Sequence, residues 1–323
     1  MDIPSLSGNE GDVGRFLARY LEELGYWVEL QTVEGDRANL IATTRAPARV
    51  VLSTHMDTVP PFISSSEDEH FIYGRGACDA KGIIAAQITA AERLRSLGMQ
   101  DIGLLFTVDE EQGSIGARRA SEHRVAKQCY FLVNGEPTDN LLATGSKGSL
   151  RVRLKTSGKA AHSAYPEQGK SAIEPLLDIL EDIRKVKWPS DGFFGETTCN
   201  IGVIEGGTRS NVIPAEAHAD IHIRLVNDSA VVKGVLSEVV SGRAEIEYLS
   251  VAEPVRMHHV EGFEQTVVRF TTDIPYLSNW GTPLLLGPGS ILVAHTDLER
   301  VSKQELEHSV DLYVRLVEKL LVE

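Results

Sequence analysis

Apolar residues recur at helical spacing over 12–25, where Val13, Phe16, Leu17, Tyr20, Leu21 and Leu24 form one stripe, and this spacing predicts a helix. Val50 to Ser53, inside RVVLST, is a short unbroken apolar run and predicts a buried strand. A second helix is expected from Ala80 to Leu97, a second apolar strand from Ile102 to Val108, and a third from Tyr130 to Val133. Helices alternating with short apolar strands predict an α/β fold, a helix-flanked and mostly parallel sheet. In such sheets the side chains that do chemistry gather at the carboxyl ends of the strands. His55, Glu110, Glu111 and Glu136 each follow a strand that has just ended.

The pattern changes at Gly148. Leu150 to Leu154 alternates as L-R-V-R-L, the signature of a half-exposed antiparallel strand. A helix (Ser171 to Val186), strands Thr197 to Ile204 and Ala215 to Val226, a further helix and a strand Ala244 to Ser250 follow. In the strand 215–226, Ile221, Ile223 and Leu225 face one side, leaving His218, Asp220, His222 and Arg224 on the other. After Pro254 the chain passes through GPGS at 287–290 to a last helix opened by the capping box Ser302-x-x-Glu305, with Leu306, Tyr313, Leu316, Val317 and Leu320 on its apolar face. The expected layout is one α/β domain, 1–147 and 254–323, interrupted by an inserted α+β domain, 148–253.

Composition narrows the function classes. The 323 residues suffice for about two domains, and no apolar run approaches the ~18 residues a membrane span needs. With 32 Lys plus Arg against 46 Asp plus Glu, the net charge of −14 repels nucleic acid and anionic membranes. Cys78, Cys129 and Cys199 are an odd number without CxxC spacing, which speaks against a disulfide framework and a thiolate zinc site and favours a reducing, cytoplasmic setting. MDIPSLSGNEGD has neither the basic nor the apolar region of a secretory signal.

Candidate metal ligands occur in order along the chain: His55-x-Asp57 in STHMDTVP, Asp79 in GRGACDAKG, Glu110-Glu111 in TVDEEQGS, Glu136 in NGEPTD and His295 in GPGSILVAHTDLE. Two histidines and several carboxylates suit a borderline metal such as zinc. Each element alone is weak, since an H-x-D or an acidic pair is commonly an accident of the surface. All five lie at strand ends or in Gly-rich turns, where one sheet edge can gather them. His258 and His259, in a polar connection, are expected to be solvated. Cys78 is expected to pack, because neighbouring carboxylate raises a thiol pKa. Gly287-Pro288-Gly289 lacks the Lys-Ser/Thr of a phosphate loop, and Arg75 and Lys81 flank the Asp79 loop with roles left open.

This set, over nearly the whole chain, resembles the zinc amidohydrolase and peptidase family of acetylornithine deacetylase, succinyl-diaminopimelate desuccinylase, aminoacylase and the glutamate carboxypeptidases. Related zinc aminopeptidases share the ligand order but lack the insert. The resemblance implies two zinc ions, with cobalt or manganese as alternatives: His55 and Glu136 on the first, Glu111 and His295 on the second, and Asp79 bridging. Asp57 would orient the His55 imidazole, Ala80 would follow a cis peptide, and Glu110 would be the general base. The insert would be a lid that forms a homodimer, presenting His162 of GKAAHSAYPEQGKSA to the partner's oxyanion. Asn211 and Arg224 of GGTRSNVIPAEAHADIHIRL would hold the substrate. Relatives usually carry an additional N-terminal helix, and many have asparagine where Leu298 stands. The implied reaction is hydrolysis of an N-acylated amino acid, of the acetylornithine or acetylcitrulline kind. A carboxypeptidase or dipeptidase is the alternative within the same chemistry, and a non-catalytic metal-binding regulatory protein the alternative outside it.

Overall fold

The computed structural model describes residues 1–44 and 47–322 and divides into two compact units. The first comprises 1–144, 256–266 and 272–323, and the second 145–255 and 267–271. The limits expected from sequence, 148 and 253, lie a few residues inside these. The short return segment belongs with the second unit because Lys147 N donates to Val268 O (3.1 Å) and Thr271 Oγ1 to Lys147 O (3.2 Å).

The first unit is built on a sheet whose centre is four parallel strands in the order Ile102–Thr107, Val50–His55, Phe131–Asn134, Thr282–Leu285. The two leading strands are buried along their whole length, which is why they read as unbroken apolar runs. Helices Lys81–Ser96 and Lys303–Leu320 bury Ile84, Ile88, Leu94, Tyr313, Leu316 and Val317 in the core. The capping box forms as expected, with Ser302 Oγ accepting from Glu305 N and Glu305 Oε2 from Ser302 N.

Antiparallel strands flank the centre: Arg37–Thr43 pairs with Ile102–Thr107 and with Trp27–Glu34, and Leu142–Ser146 borders Thr282–Leu285. The pattern 12–53 predicts one helix and one strand and misses this hairpin, because Trp27–Glu34 is largely solvated and carries little apolar signal. The first helix, Gly11–Glu23, also buries less than its stripe suggests: Val13, Leu17 and Leu21 face the core while Phe16 and Tyr20 stack on each other at the surface.

The second unit is a four-stranded antiparallel sheet, in the order Thr198–Gly206, Glu216–Leu225, Gly148–Ser157, Glu245–Ala252. Helices Ile173–Lys185 and Ser229–Val240 contribute Leu176, Ile179, Val232 and Leu236 to the core that also buries Leu150, Val152, Ile221 and Ile223. The alternation read from 215–226 is the observed one. On the polar face His222 Nε2 lies 2.8 Å from Ser149 Oγ. Burial, then Arg224 and Arg151, pushes this imidazole down from 6.5 to about 4. The unfolded chain therefore binds a proton near pH 6.5 that the folded chain refuses until about pH 4, so this unit should lose stability on acidification through that window. For a half-exposed group the expected loss is about 1–2 kcal/mol. His222→Gln should abolish it; denaturation of metal-free wild type and variant at pH 4.5 and 7 checks this, and parallel pH dependences would refute it.

Candidate metal centre

The parallel strands deliver their ligands to one sheet edge. His55 is the last residue of Val50–His55, Glu110 and Glu111 follow Ile102–Thr107, and Glu136 follows Phe131–Asn134. Gly135 lets that chain pass close to the helix Lys81–Ser96: a Cβ there would meet Ile83 Cγ2 at 2.4 Å and Gln87 Nε2 at 2.6 Å. The Gly-Pro-Gly turn braces the Glu136 loop, since Thr138 N and Asn140 N both donate to Gly287 O (3.2 and 2.9 Å).

Two groups of ligand atoms result, His55–Asp79–Glu136 and Asp79–Glu111–His295, with the atoms of each within 4.8 Å of one another. Asp79 is common to both. Its Oδ1 lies 2.9 Å from His55 Nε2 and its Oδ2 3.2 Å from His295 Nε2. His295 Nε2 also meets Glu111 Oε1 at 2.9 Å, and Glu136 Oε2 lies 4.0 Å from His55 Nε2. The Asp79–Ala80 peptide is cis, as the family resemblance implies.

Asp57 does more than orient an imidazole. His55 Nδ1 faces the Asp57 carbonyl at 2.9 Å and its Oδ1 at 3.4 Å, so both neighbours are acceptors, the proton belongs on Nδ1, and Nε2 is left to bind a cation. The same carboxylate accepts from Ser7 Oγ (2.7 Å), Glu110 N (3.0 Å) and Glu111 N (3.1 Å), fixing the acidic pair from below. Asp109, in the left-handed region at φ 69°, accepts from Arg37 Nη2 at 2.7 Å, and Arg37 is held by Glu10 through bonds of 2.7 and 2.8 Å.

The electrostatics follow from burial and crowding. Burial, then Glu136, pushes Glu110 well above the usual carboxylate range. Glu111 and Glu136 are raised too, burial first in each. Burial alone would raise Asp79, but His295 and His55 outweigh it and hold the carboxyl below its ordinary value. Asp79 first and Glu111 second raise His295 to about 10. Glu136 Oε1 is buried and, among the described residues, accepts no hydrogen bond. A concentration of buried carboxylates around two imidazoles, with an orphaned carboxylate oxygen, fits divalent cations with a preference for nitrogen and oxygen ligands.

His162, Asn211 and Arg224 belong to the second unit. His162 is exposed and pairs across an isolated bridge with Val212, and Ser163 N donates to Asn211 O at 3.0 Å, so His162 and Asn211 share one corner. Arg224 sits toward the other end of Glu216–Leu225, donating to Thr271 Oγ1 at 3.3 Å. Among the described residues His258 and His259 join neither ligand group. Cys78 is buried, and burial, then Glu299 and Asp79, pushes its thiol far up, away from nucleophile chemistry. Lys81 turns to the carbonyls of Met1 (3.2 Å) and Ile3 (2.7 Å), and burial lowers it to about 8.

Sequence reasoning missed Asp273. It is buried, accepts from Thr107 Oγ1 at 2.7 Å, and burial raises its carboxyl to about 6 against that bond. It also adds to the repulsion that raises Glu110 and Glu136. TTDIP carries no motif, so only the fold brings this acid to the site.

A model of Peptidase family M20/M25/M40 matches residues 51–319. The chain belongs to this family. A protein of Emericella nidulans named "Probable carboxypeptidase AN5749" is 37% identical, over 98% of this chain and 87% of its own. This M20 chain also has the fold of a tripeptidase from Staphylococcus aureus (TM-score 0.81, 20% identity, 99% of this chain and 95% of that one). An M20 family metallo-carboxypeptidase from Sulfolobus solfataricus gives a TM-score of 0.78 at 17% identity, covering 99% of this chain and 97% of that one. The M20 chain is thus a metal-dependent peptidase or amidohydrolase with a mostly parallel catalytic sheet. Among its described residues no helix is long and apolar enough to cross a membrane.

Proposed function

We propose that the protein is a two-metal carboxypeptidase that hydrolyses the amide preceding a residue with a free α-carboxylate. The observation that carries the metal reading is the Asp79 carboxylate, which offers one oxygen to each histidine of two ligand groups. The carboxypeptidase reading rests on the name of the relative at 37% identity. Zinc suits the ligand set, with cobalt or manganese as alternatives.

His55, Asp79 and Glu136 would hold one ion and Asp79, Glu111 and His295 the other. Such a pair, when bound, acidifies a water and polarises the scissile carbonyl. Glu110 takes the water proton on its carboxylate and returns it to the departing amine. Asp57 keeps that carboxylate in place through the Glu110 and Glu111 N–H groups. His162, from the partner in a homodimer, donates to the oxyanion. Arg224 receives the α-carboxylate of the substrate, a match for the planar guanidinium, and Asn211, at the corner it shares with His162, makes a separate contact to the substrate.

A second reading, deacetylation of N-acetylated amino acids of the ornithine or citrulline kind, draws on the EPTD and GPGSI segments and uses the same residues. Release of the C-terminal amino acid from N-blocked dipeptides, compared with free amine from N-acetyl-L-ornithine and N-acetyl-L-citrulline, separates the two. N-blocked dipeptides should lead by about tenfold or more in kcat/KM, about 1.4 kcal/mol of transition-state binding, and amidating their C-terminus should abolish cleavage. A lead for the acetylated amino acids would establish the second reading, and equal cleavage of C-terminal amides would overturn both.

A further inference from the structure

Glu299 closes the HTDLE segment and is fully buried, as is Arg75 in the Asp79 loop. The two are joined by a bond of 2.6 Å from Arg75 Nη1 to Glu299 Oε2. Burying such a pair in a protein interior is costly and gives little net stability. What the pair holds is specific. Glu299 Oε1 accepts from the backbone N–H of Gly76 (2.9 Å), Cys78 (3.3 Å) and Asp79 (3.3 Å). Arg75 Nη1 also donates to Thr296 O at 3.2 Å, next to His295.

The pair sits in a fork. Residues 71–73 and 300–302 form a short antiparallel ladder that ends at Tyr73–Arg300, followed by a bond of 3.1 Å from Gly74 N to Glu299 O. Beyond it the two chains diverge, one to Asp79 and the other to His295. Among the described residues no ladder links these ligands, and His295 is a half-exposed residue in the left-handed region (φ 62°) whose imidazole meets Asp79 and Glu111. The first group differs, because His55 ends a buried strand and Glu136 leaves another.

We infer that Glu299, locked by Arg75, is a positioning residue that sets the separation of Asp79 and His295 and so builds the Asp79–Glu111–His295 metal position in preference to the His55–Asp79–Glu136 position. This rests on the two-metal reading above. A carboxylate is needed because a single group must accept from a guanidinium and three backbone N–H groups. The amide of Glu299→Gln has one oxygen and turns two donors toward donors.

The test is zinc binding to the metal-free full-length protein, followed by competition with a chromophoric chelator, which yields one dissociation constant per site. In Glu299→Gln and in Arg75→Lys one site, the same one that His295→Gln impairs, should loosen by about 10- to 100-fold while the other changes by less than about threefold. In a His295→Ala background, Glu299→Gln should leave the single remaining site unaltered. The thermal midpoint of the metal-free proteins separates this from a loss of fold, and Arg75→Lys carries the test if Glu299→Gln does not fold. Equal loosening of both sites, or a lowered midpoint with both constants intact, would make the pair a general brace and overturn the inference. Wild type that binds only one equivalent would overturn the two-metal reading itself, an outcome visible before any substitution is compared.

Discussion

Glu110→Gln should lower kcat by about 10²–10⁴-fold, the range that a positioned general base supplies. The substitution keeps the shape of the side chain and the backbone N–H that Asp57 accepts, and Glu110 belongs to neither ligand group. Metal content and KM should therefore stay close to wild type while turnover collapses. The cause is that an amide cannot take up the water proton that the Glu110 carboxylate accepts. Steady-state kinetics alongside elemental analysis of the same sample checks this. A fall of less than about tenfold, with both metals in place, would hand the proton transfer to another group, and Asp273 would be the first to examine.

Asp79→Asn should have a comparably large effect by another route. One carboxylate faces both histidines, at 2.9 and 3.2 Å, so its neutral amide weakens both sites together. Metal affinity should fall by more than the roughly 10- to 100-fold that substitutions outside the ligand shell cost, at both positions, with hydrolysis lost. Glu136→Gln and His295→Gln should each impair one position only. Equilibrium dialysis of the three variants against zinc gives the comparison; an Asp79→Asn protein that retained one full equivalent at wild-type affinity would show that Asp79 is no bridge.

The site was legible where chemistry coincides with local pattern. His55, Glu110, Glu111 and Glu136 follow apolar runs that predict buried strands, and Asp79 and His295 stand in Gly-rich turns, so the expected fold class allows their convergence on one edge. Asp57 was legible as a neighbour of His55, whereas its three other donors, Ser7 and the N–H groups of Glu110 and Glu111, come from segments that only folding brings close. The Arg75–Glu299 and Arg37–Glu10–Asp109 clusters were illegible for the same reason: a buried ion pair joins positions far apart in sequence, and its members look like surface charges until the partner is known. The hairpin 27–43 was lost because its outer strand faces water. The stripe of the first helix overstated burial because periodicity records which face is apolar, without recording whether anything covers Phe16 and Tyr20.

The catalytic sheet has a consequence for the order in which the chain can assemble. Strand Thr282–Leu285 pairs in parallel with Phe131–Asn134, about 150 residues earlier, and separates it from Leu142–Ser146. During synthesis the first unit therefore carries an open sheet edge until Thr282–Leu285 has emerged, while the second unit, 145–255 and 267–271, lies wholly before that strand in the chain. All strands of the second unit can pair before that last central strand is available, so the second unit would be native first. The nascent catalytic half, with its central strand unpaired on one side, is then the species exposed to aggregation.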